Sequence, residues 1–122
     1  MKRLSNWIEI PVTNLKRAKE FYQNILQTEL RPMVIGPIQY ALFPSEDRFN
    51  CGALVEGEGY EPSAKGVTVY LDGGDDLDLI LQRVKKIGGQ ILMPKTYLGK
   101  DAGFIGFFLD SEGNRIGLQN ME

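Results

Sequence analysis

The side chains best suited to act on a small molecule begin with Trp7 and Glu9, in a short run near the start of the sequence. Successive side chains of a strand point to opposite faces, so these two share one face while Ile8 and Ile10 share the other. An indole can stack on a planar ligand. A buried carboxyl group between two apolar residues can act as a base or a metal ligand when it is ionised and as a hydrogen-bond donor when it is protonated. Glu9 is therefore the candidate catalytic residue.

Three later residues extend this set to a ligand-binding face. Thr68 and Tyr70 share one side of a second apolar strand, and Arg115 opens the last strand of the chain. A guanidinium can hold an anionic ligand, or it can pair with Glu9. Each residue also has a purely structural interpretation: Trp7 and Tyr70 could cover a sheet or a dimer interface, and Glu9 could be a solvated carboxylate. The predicted ligand-binding residues are Trp7, Glu9, Thr68, Tyr70 and Arg115.

The absence of histidine excludes several kinds of catalytic site. The chain has no histidine and one cysteine, Cys51. Histidine is the commonest general base and the commonest metal ligand at neutral pH. Nucleophiles activated by histidine are therefore excluded, and so are the usual zinc sites. A site built only from carboxylate oxygens stays open. We interpret Cys51 as a small apolar residue of a strand.

The composition of the chain limits the kinds of partner and the cellular compartment that we expect. The net charge is −2 and the isoelectric point is near 5.2. A protein that binds the phosphate backbone of a nucleic acid usually has a basic surface, so we expect no nucleic-acid partner. No apolar run has the length needed to span a bilayer, and the first residues lack the apolar stretch of a secretory signal. One cysteine allows no internal disulfide. We expect a cytoplasmic protein with no membrane partner.

Apolar periodicity predicts the elements that position these residues. Residues 7–12 alternate as a strand, residues 14–27 have helical spacing, and further strands are expected near residues 31–33, 39–43 and 51–55. The pattern then repeats: Val67, Val69 and Leu71 alternate, a helix follows from residue 77 to 87, and strands end the chain at 90–93, 104–109 and 115–119. Each helix is expected to cover the apolar face of the strand before it. Residues 95–103, which begin with Lys95, are interpreted as a flexible segment that could act as a lid, although Lys95 itself is more simply interpreted as a surface lysine.

A constant offset aligns the two halves. Six positions of the first half match six of the second: Leu15, Ala18, Tyr22, Ile25, Leu30 and Pro32 fall on Leu77, Ile80, Val84, Ile87, Leu92 and Pro94. We predict an α+β fold of two tandem βαβββ modules that form a cupped, mostly antiparallel sheet with the helices on its outer face. The 122 residues then make a single domain, with module one at 1–57, a connector at 58–65 and module two at 66–122.

Four segments resemble the glyoxalase, bleomycin-resistance and extradiol-dioxygenase superfamily, also called vicinal oxygen chelate proteins. They are residues 7–22, 76–78, 93–96 and 107–118, in the expected order over nearly the whole chain. The usual proline of the final hairpin is Ser111 here. The resemblance implies paired βαβββ modules, a ligand groove and, in most members, a homodimer.

The resemblance also locates the metal ligands of the members that use a metal. Carried onto this sequence, those positions fall near Trp7, Leu54, Gly66 and Gly117, with Glu56 close to the second. None of the four side chains can bind a metal. The chain is therefore similar to the metal-free members that sequester antibiotics, and we expect no metal and no cofactor.

Three functions remain open at this point. The first is a protein that binds a small organic molecule in the groove without a catalytic metal. The second is a diverged lyase, isomerase or dioxygenase whose metal is held by carboxylates such as Glu9 and Glu56. The third is a structural or regulatory dimer whose groove is filled by its own side chains.

Overall fold

A computed structural model describes residues 2–46 and 51–122 of the chain. The chain divides into two compact units, Met1–Pro62 and Ser63–Glu122. Each unit contains one helix and one four-stranded sheet. Neither helix of the described residues is long and apolar enough to cross a membrane.

The first unit has the order strand, helix, strand, strand, strand. Its elements are β1 (Trp7–Pro11), α1 (Leu15–Leu26), β2 (Arg31–Ile35), β3 (Ile38–Leu42) and β4 (Cys51–Glu56). The spatial order in the sheet is β1-β4-β3-β2. β1 runs parallel to β4, because the helix carries the chain back over the sheet, and the other pairs are antiparallel.

Helix α1 forms where a good N-cap precedes an amphipathic run. The Asn14 side chain accepts the backbone N–H of Arg17, and the helix ends at Gln27 in the left-handed conformation. The helix buries Ala18, Tyr22 and Ile25 at helical spacing. It packs chiefly on β3 and β4, so the core of this unit lies between α1 and one face of the sheet.

The second unit repeats the same order of elements. They are β5 (Val69–Asp72), α2 (Leu77–Lys86), β6 (Gln90–Tyr97), β7 (Phe104–Leu109) and β8 (Arg115–Asn120). The sheet order is β5-β8-β7-β6, with β5 parallel to β8 and the other pairs antiparallel. Helix α2 begins at the N-cap Asp76 and packs on β6, β7 and β8. Gly106 lets β7 approach the Leu77 and Leu81 side chains closely.

The predicted α+β fold with two tandem βαβββ modules is confirmed, and four local expectations are wrong. Val67 precedes β5 and is 92% exposed, because the strand begins two residues later. Ile87 lies beyond the end of α2 and is 40% exposed, unlike its buried counterpart Ile25. Lys95 belongs to β6, which continues to Tyr97, so the loop is shorter than expected. Each helix packs mainly on strands other than the one before it, since α1 lies over β3 and β4 and α2 lies over β6, β7 and β8.

Candidate functional site

Strand register places Trp7 and Glu9 on the face of the first sheet that points away from α1. Glu9 pairs in register with Ala53, and Ile10 pairs with Leu54. Ile10 and Leu54 are buried on the helix side, at 3% and 0% exposure. Because side chains alternate, Trp7 and Glu9 lie on the opposite face. The predicted division of β1 into two faces is therefore what the structure shows.

Both carboxylate oxygens of Glu9 accept hydrogen bonds from aromatic residues. The indole Nε1 of Trp7 donates to Oε2 over 3.1 Å, and the hydroxyl of Tyr60 donates to Oε1 over 2.9 Å. The hydrogen bond to the Glu9 carboxylate raises the pKa of Tyr60 above its ordinary value of 10.0, with desolvation adding to the effect. Glu9 thus fixes the orientation of two aromatic rings on this face.

Trp7 also borders an open cleft in the first unit, which we call the Trp7 cleft. Its volume is about 500 Å³, within the range of about 300 to 1,000 Å³ that is common for small-molecule sites. The indole is 41% exposed, so one side of it faces solvent. The lining combines aromatic and aliphatic groups with one guanidinium, one carboxylate and one thiol: Trp7, Arg31, Met33, Leu42, Phe43, Pro44, Ser45, Glu46, Cys51 and Gly52.

Glu56 lies on the other face of the same sheet. It ends β4 with the same side-chain direction as Leu54, toward the helix. Its Oε1 accepts the backbone N–H of Leu15, the first residue of α1, over 2.7 Å. Glu9 and Glu56 therefore point to opposite faces, and one metal ion cannot bridge them.

Three predicted ligand-binding residues meet in the second unit, on the face away from α2. Arg115 donates from Nη2 to the Thr68 hydroxyl over 2.6 Å. The same guanidinium lies over the ring of Phe107, with Cζ 5.3 Å from the ring centroid. The Tyr70 and Phe107 rings are 5.5 Å apart. We call Thr68, Tyr70, Phe107 and Arg115 the Arg115 cluster.

Gly117 forms the base on which Tyr70 rests. Tyr70 and Gly117 are partners in the β5–β8 register, and so are Phe107 and Gly117 across β7–β8. A Cβ atom added at Gly117 would lie 2.6 Å from the Tyr70 ring, closer than real Cβ contacts. The absence of a side chain therefore lets the ring lie against the sheet.

The residues at the positions of the superfamily's metal ligands do not fit a metal. Leu54 is buried among apolar residues, and Gly66 and Gly117 have no side chain. The ring of Tyr70 occupies the space above Gly117 that a ligand side chain would need. Within residues 2–46 and 51–122, no three carboxylates or thiols come together as a metal-binding group. No chemistry through a metal can be derived from this arrangement.

Lys95 has a local role in the second unit. Its Nζ lies 2.8 Å from Oδ1 of Asp76 and 4.5 Å from the centroid of the Phe104 ring. The interaction with Lys95 lowers the pKa of Asp76, and the backbone N–H of Asp78 lowers it further. Lys95 thus connects β6 to the start of α2.

Sequence reasoning did not identify several residues of these sites. Tyr60 lies in the segment interpreted as a connector, and Phe107 lies in an apolar strand with no sign of which face it takes. Arg31 and Met33 were recognised only as the start of a strand. Side-chain alternation along β2 could have placed Arg31 and Met33 on the same face of the strand. Whether that face is also the Trp7 face depends on the order of strands in the sheet, which local periodicity does not reveal.

The first similar protein is a curated relative of this chain. CFP32 of Mycobacterium bovis, which carries the provisional name of a glyoxylase, is 25% identical over 115 residues, or 93% of this chain and 44% of CFP32. The chain therefore spans about half the length of the curated relatives that it matches.

Solved structures share the fold at low identity. TnmS3, an antibiotic binding protein from Streptomyces sp. CB03234, is 19% identical with a TM-score of 0.66, covering 98% of this chain and 97% of TnmS3. Glyoxalase I from Zea mays is 19% identical with a TM-score of 0.69, covering 97% of this chain and 45% of the enzyme.

The family model described as Glyoxalase/Bleomycin resistance protein/Dioxygenase superfamily matches residues 4–118. This match covers both βαβββ units, from before β1 to within β8. The chain is therefore a member of the glyoxalase/bleomycin resistance protein/dioxygenase superfamily.

Proposed function

We propose that this chain binds a small organic molecule and does so without a catalytic metal. The observation that carries the proposal is the Trp7 cleft, an open space of about 500 Å³ bordered by an indole whose orientation Glu9 holds. Apolar walls with a few polar groups are typical of small-molecule sites. TnmS3, named as an antibiotic binding protein, shares the fold and supports the same class of function.

Glu9 acts in this proposal as a positioning residue rather than as a base. Its two oxygens are engaged by Trp7 and Tyr60, so it holds the indole at the border of the cleft. Met33 and Leu42 supply apolar surface, and Arg31 supplies a positive charge. The proposal includes a homodimer, on the strength of the superfamily resemblance, and a cytoplasmic location, because one cysteine allows no internal disulfide.

The alternative of a metal-dependent lyase, isomerase or dioxygenase has support from the glyoxylase name of CFP32. The donor set opposes it, because Glu9 and Glu56 lie on opposite faces of the first sheet. Native mass spectrometry of protein purified without chelators separates the two functions. If the wild-type protein contains stoichiometric metal and the Glu9→Gln variant does not, the metal-dependent enzyme is the correct function and our proposal is wrong.

A binding experiment with an uncharged aromatic probe tests the proposal directly. Trp7 is the one tryptophan of the chain, so energy transfer from tryptophan to N-phenyl-1-naphthylamine reports on probe bound near Trp7. Met33→Lys introduces a second positive charge beside Arg31 in the cleft, and we expect it to weaken binding roughly tenfold or more.

Val34→Lys is the matched control for this variant. Val34 is the next residue of β2, points to the other face and is 67% exposed, so its substitution should leave probe affinity within about twofold. Absence of probe binding to the wild-type protein, or equal effects of the two substitutions, would show that the Trp7 cleft is not a ligand site. If the cleft is closed in solution, the result would favour the third function, a structural or regulatory dimer whose groove is filled by its own side chains.

A further inference from the structure

We propose that the Arg115 cluster binds the acidic group of a planar organic anion, such as an aromatic carboxylate. This inference rests on the proposed small-molecule function and assigns a chemical class of ligand to a site in the second unit. It concerns residues of the second unit alone, on the open face of the β5–β8–β7–β6 sheet. Four observations on that face support it.

The charge of Arg115 is not neutralised by a carboxylate of the described chain. Across residues 2–46 and 51–122, its guanidinium contacts the Thr68 hydroxyl and the Phe107 ring but makes no ion pair. Asp110, the acidic residue at the start of the nearby hairpin, accepts hydrogen bonds from Glu112 and Asn114 instead. A half-buried arginine with no acidic partner among these described residues favours an anion from solution.

The guanidinium is held in place before any ligand arrives. Thr68 fixes one terminal nitrogen over 2.6 Å, and Cζ of Arg115 lies over the Phe107 ring, 5.3 Å from its centroid. A cation that is already oriented loses less conformational entropy on binding than a mobile one. A guanidinium has five N–H groups, and the hydrogen bond to Thr68 uses one of them. The others can donate to an anionic ligand.

An aromatic surface lies next to this cation. Tyr70 is 44% exposed although its ring contacts Phe107, and it rests on Gly117. Exposed aromatic rings beside an arginine suit a ligand that has a planar body and a negative group, since one end can stack while the other pairs. Aliphatic cations are disfavoured by the same charge.

Gly117 sets how closely the Tyr70 ring lies to the β8 backbone beside Arg115. The resemblance places a metal ligand of the superfamily near Gly117, and here the Tyr70 ring covers that point. The aromatic surface beside Arg115 therefore extends over the backbone of β8.

A matched pair of ligands tests the proposal. 1-Naphthaleneacetate carries a carboxylate, and 1-naphthaleneacetamide has the same ring and a neutral amide. We expect the wild-type protein to bind the acid more tightly than the amide by isothermal titration calorimetry. Arg115→Gln should weaken binding of the acid roughly tenfold to a hundredfold and leave the amide within about twofold.

Further variants separate positioning from general damage. Thr68→Val releases one nitrogen of Arg115 and should reduce the preference for the acid, while Arg115→Lys should keep part of it because the charge remains. Gly117→Ala should displace the Tyr70 ring and weaken both ligands together. Arg83→Gln on α2 is the matched charge control and should change neither affinity.

The outcomes distinguish this inference from the proposed function. Equal affinity of the wild-type protein for the acid and the amide would overturn the anion site while leaving small-molecule binding intact. The same holds if Arg115→Gln weakens both ligands alike. Failure of both naphthalene ligands and of N-phenyl-1-naphthylamine to bind would overturn both proposals at once.

Discussion

Glu56 at the end of β4 accepts the backbone N–H of Leu15 over 2.7 Å, so one strand end holds the first turn of α1. The second unit repeats this relationship with a different side chain, because Asn120 at the end of β8 accepts the N–H of Leu77 over 2.8 Å. The first N–H groups of a helix have no partner inside the helix. In each unit the strand that is parallel to the first strand supplies that partner.

Removing the acceptor in the first unit should destabilise the protein. We expect Glu56→Ala to lower the free energy of unfolding by about 1–2 kcal/mol, because the Leu15 N–H loses its partner. Urea unfolding in the presence of a chelator measures this change independently of any metal. Glu58→Ala, an exposed neighbour, is the control. An unchanged stability of Glu56→Ala in chelator would contradict the capping role.

In the second unit, two substitutions of Asn120 test the equivalent hydrogen bond. Asn120 is 5% exposed, so Asn120→Ala leaves the buried N–H of Leu77 unpaired and should cost about 1–3 kcal/mol. Asn120→Asp keeps an acceptor oxygen at that position and should recover part of the loss. Urea unfolding of the three proteins makes the comparison, and equal stability of the Ala and Asp variants would exclude the hydrogen bond as the cause.

Acid titration should report the contact of Asp76 with Lys95. The pKa of Asp76 is lowered from 3.8, so its ionised form stabilises the fold above pH 3.8. This contribution is lost as the pH falls from 3.8 through the lowered native pKa. We expect the carboxyl carbon resonance of Asp76 to titrate below 3.8, and Lys95→Met to move its midpoint upward. Lys86→Met should leave it unchanged, and a midpoint insensitive to Lys95 would refute the pairing.

Alkaline titration should report the contact of Tyr60 with Glu9. The pKa of Tyr60 is raised above 10.0, so the neutral phenol contributes stability below pH 10.0 that is lost as the pH rises through the native pKa. Glu9→Gln removes the negative charge and should bring the pKa of Tyr60 back toward 10.0. Tyrosine Cζ resonances, assigned with Tyr60→Phe, measure this shift. Glu58→Gln is the control, and a wild-type midpoint at 10.0 would contradict the contact.

The repeat explains why so much of the fold could be predicted. The apolar period from Leu15 to Ile25 recurs from Leu77, and the N-cap residues Asn14 and Asp76 occupy equivalent positions before the two helices. These signals are local, because helix caps and side-chain alternation depend on neighbouring residues. Three of the four errors fell at element ends, such as Val67 and Ile87, where tertiary packing sets the boundary.

The sequence by itself determined the element types, the two faces of β1, and the absence of histidine chemistry. Only the tertiary structure decided which distant residues meet. It brought Tyr60 to Glu9, Phe107 to Arg115, and Glu56 to the start of α1 rather than to Glu9. The physical reason is that periodicity reports which face a side chain takes, whereas neighbours across a sheet depend on strand order and register, which arise from contacts far apart in the chain.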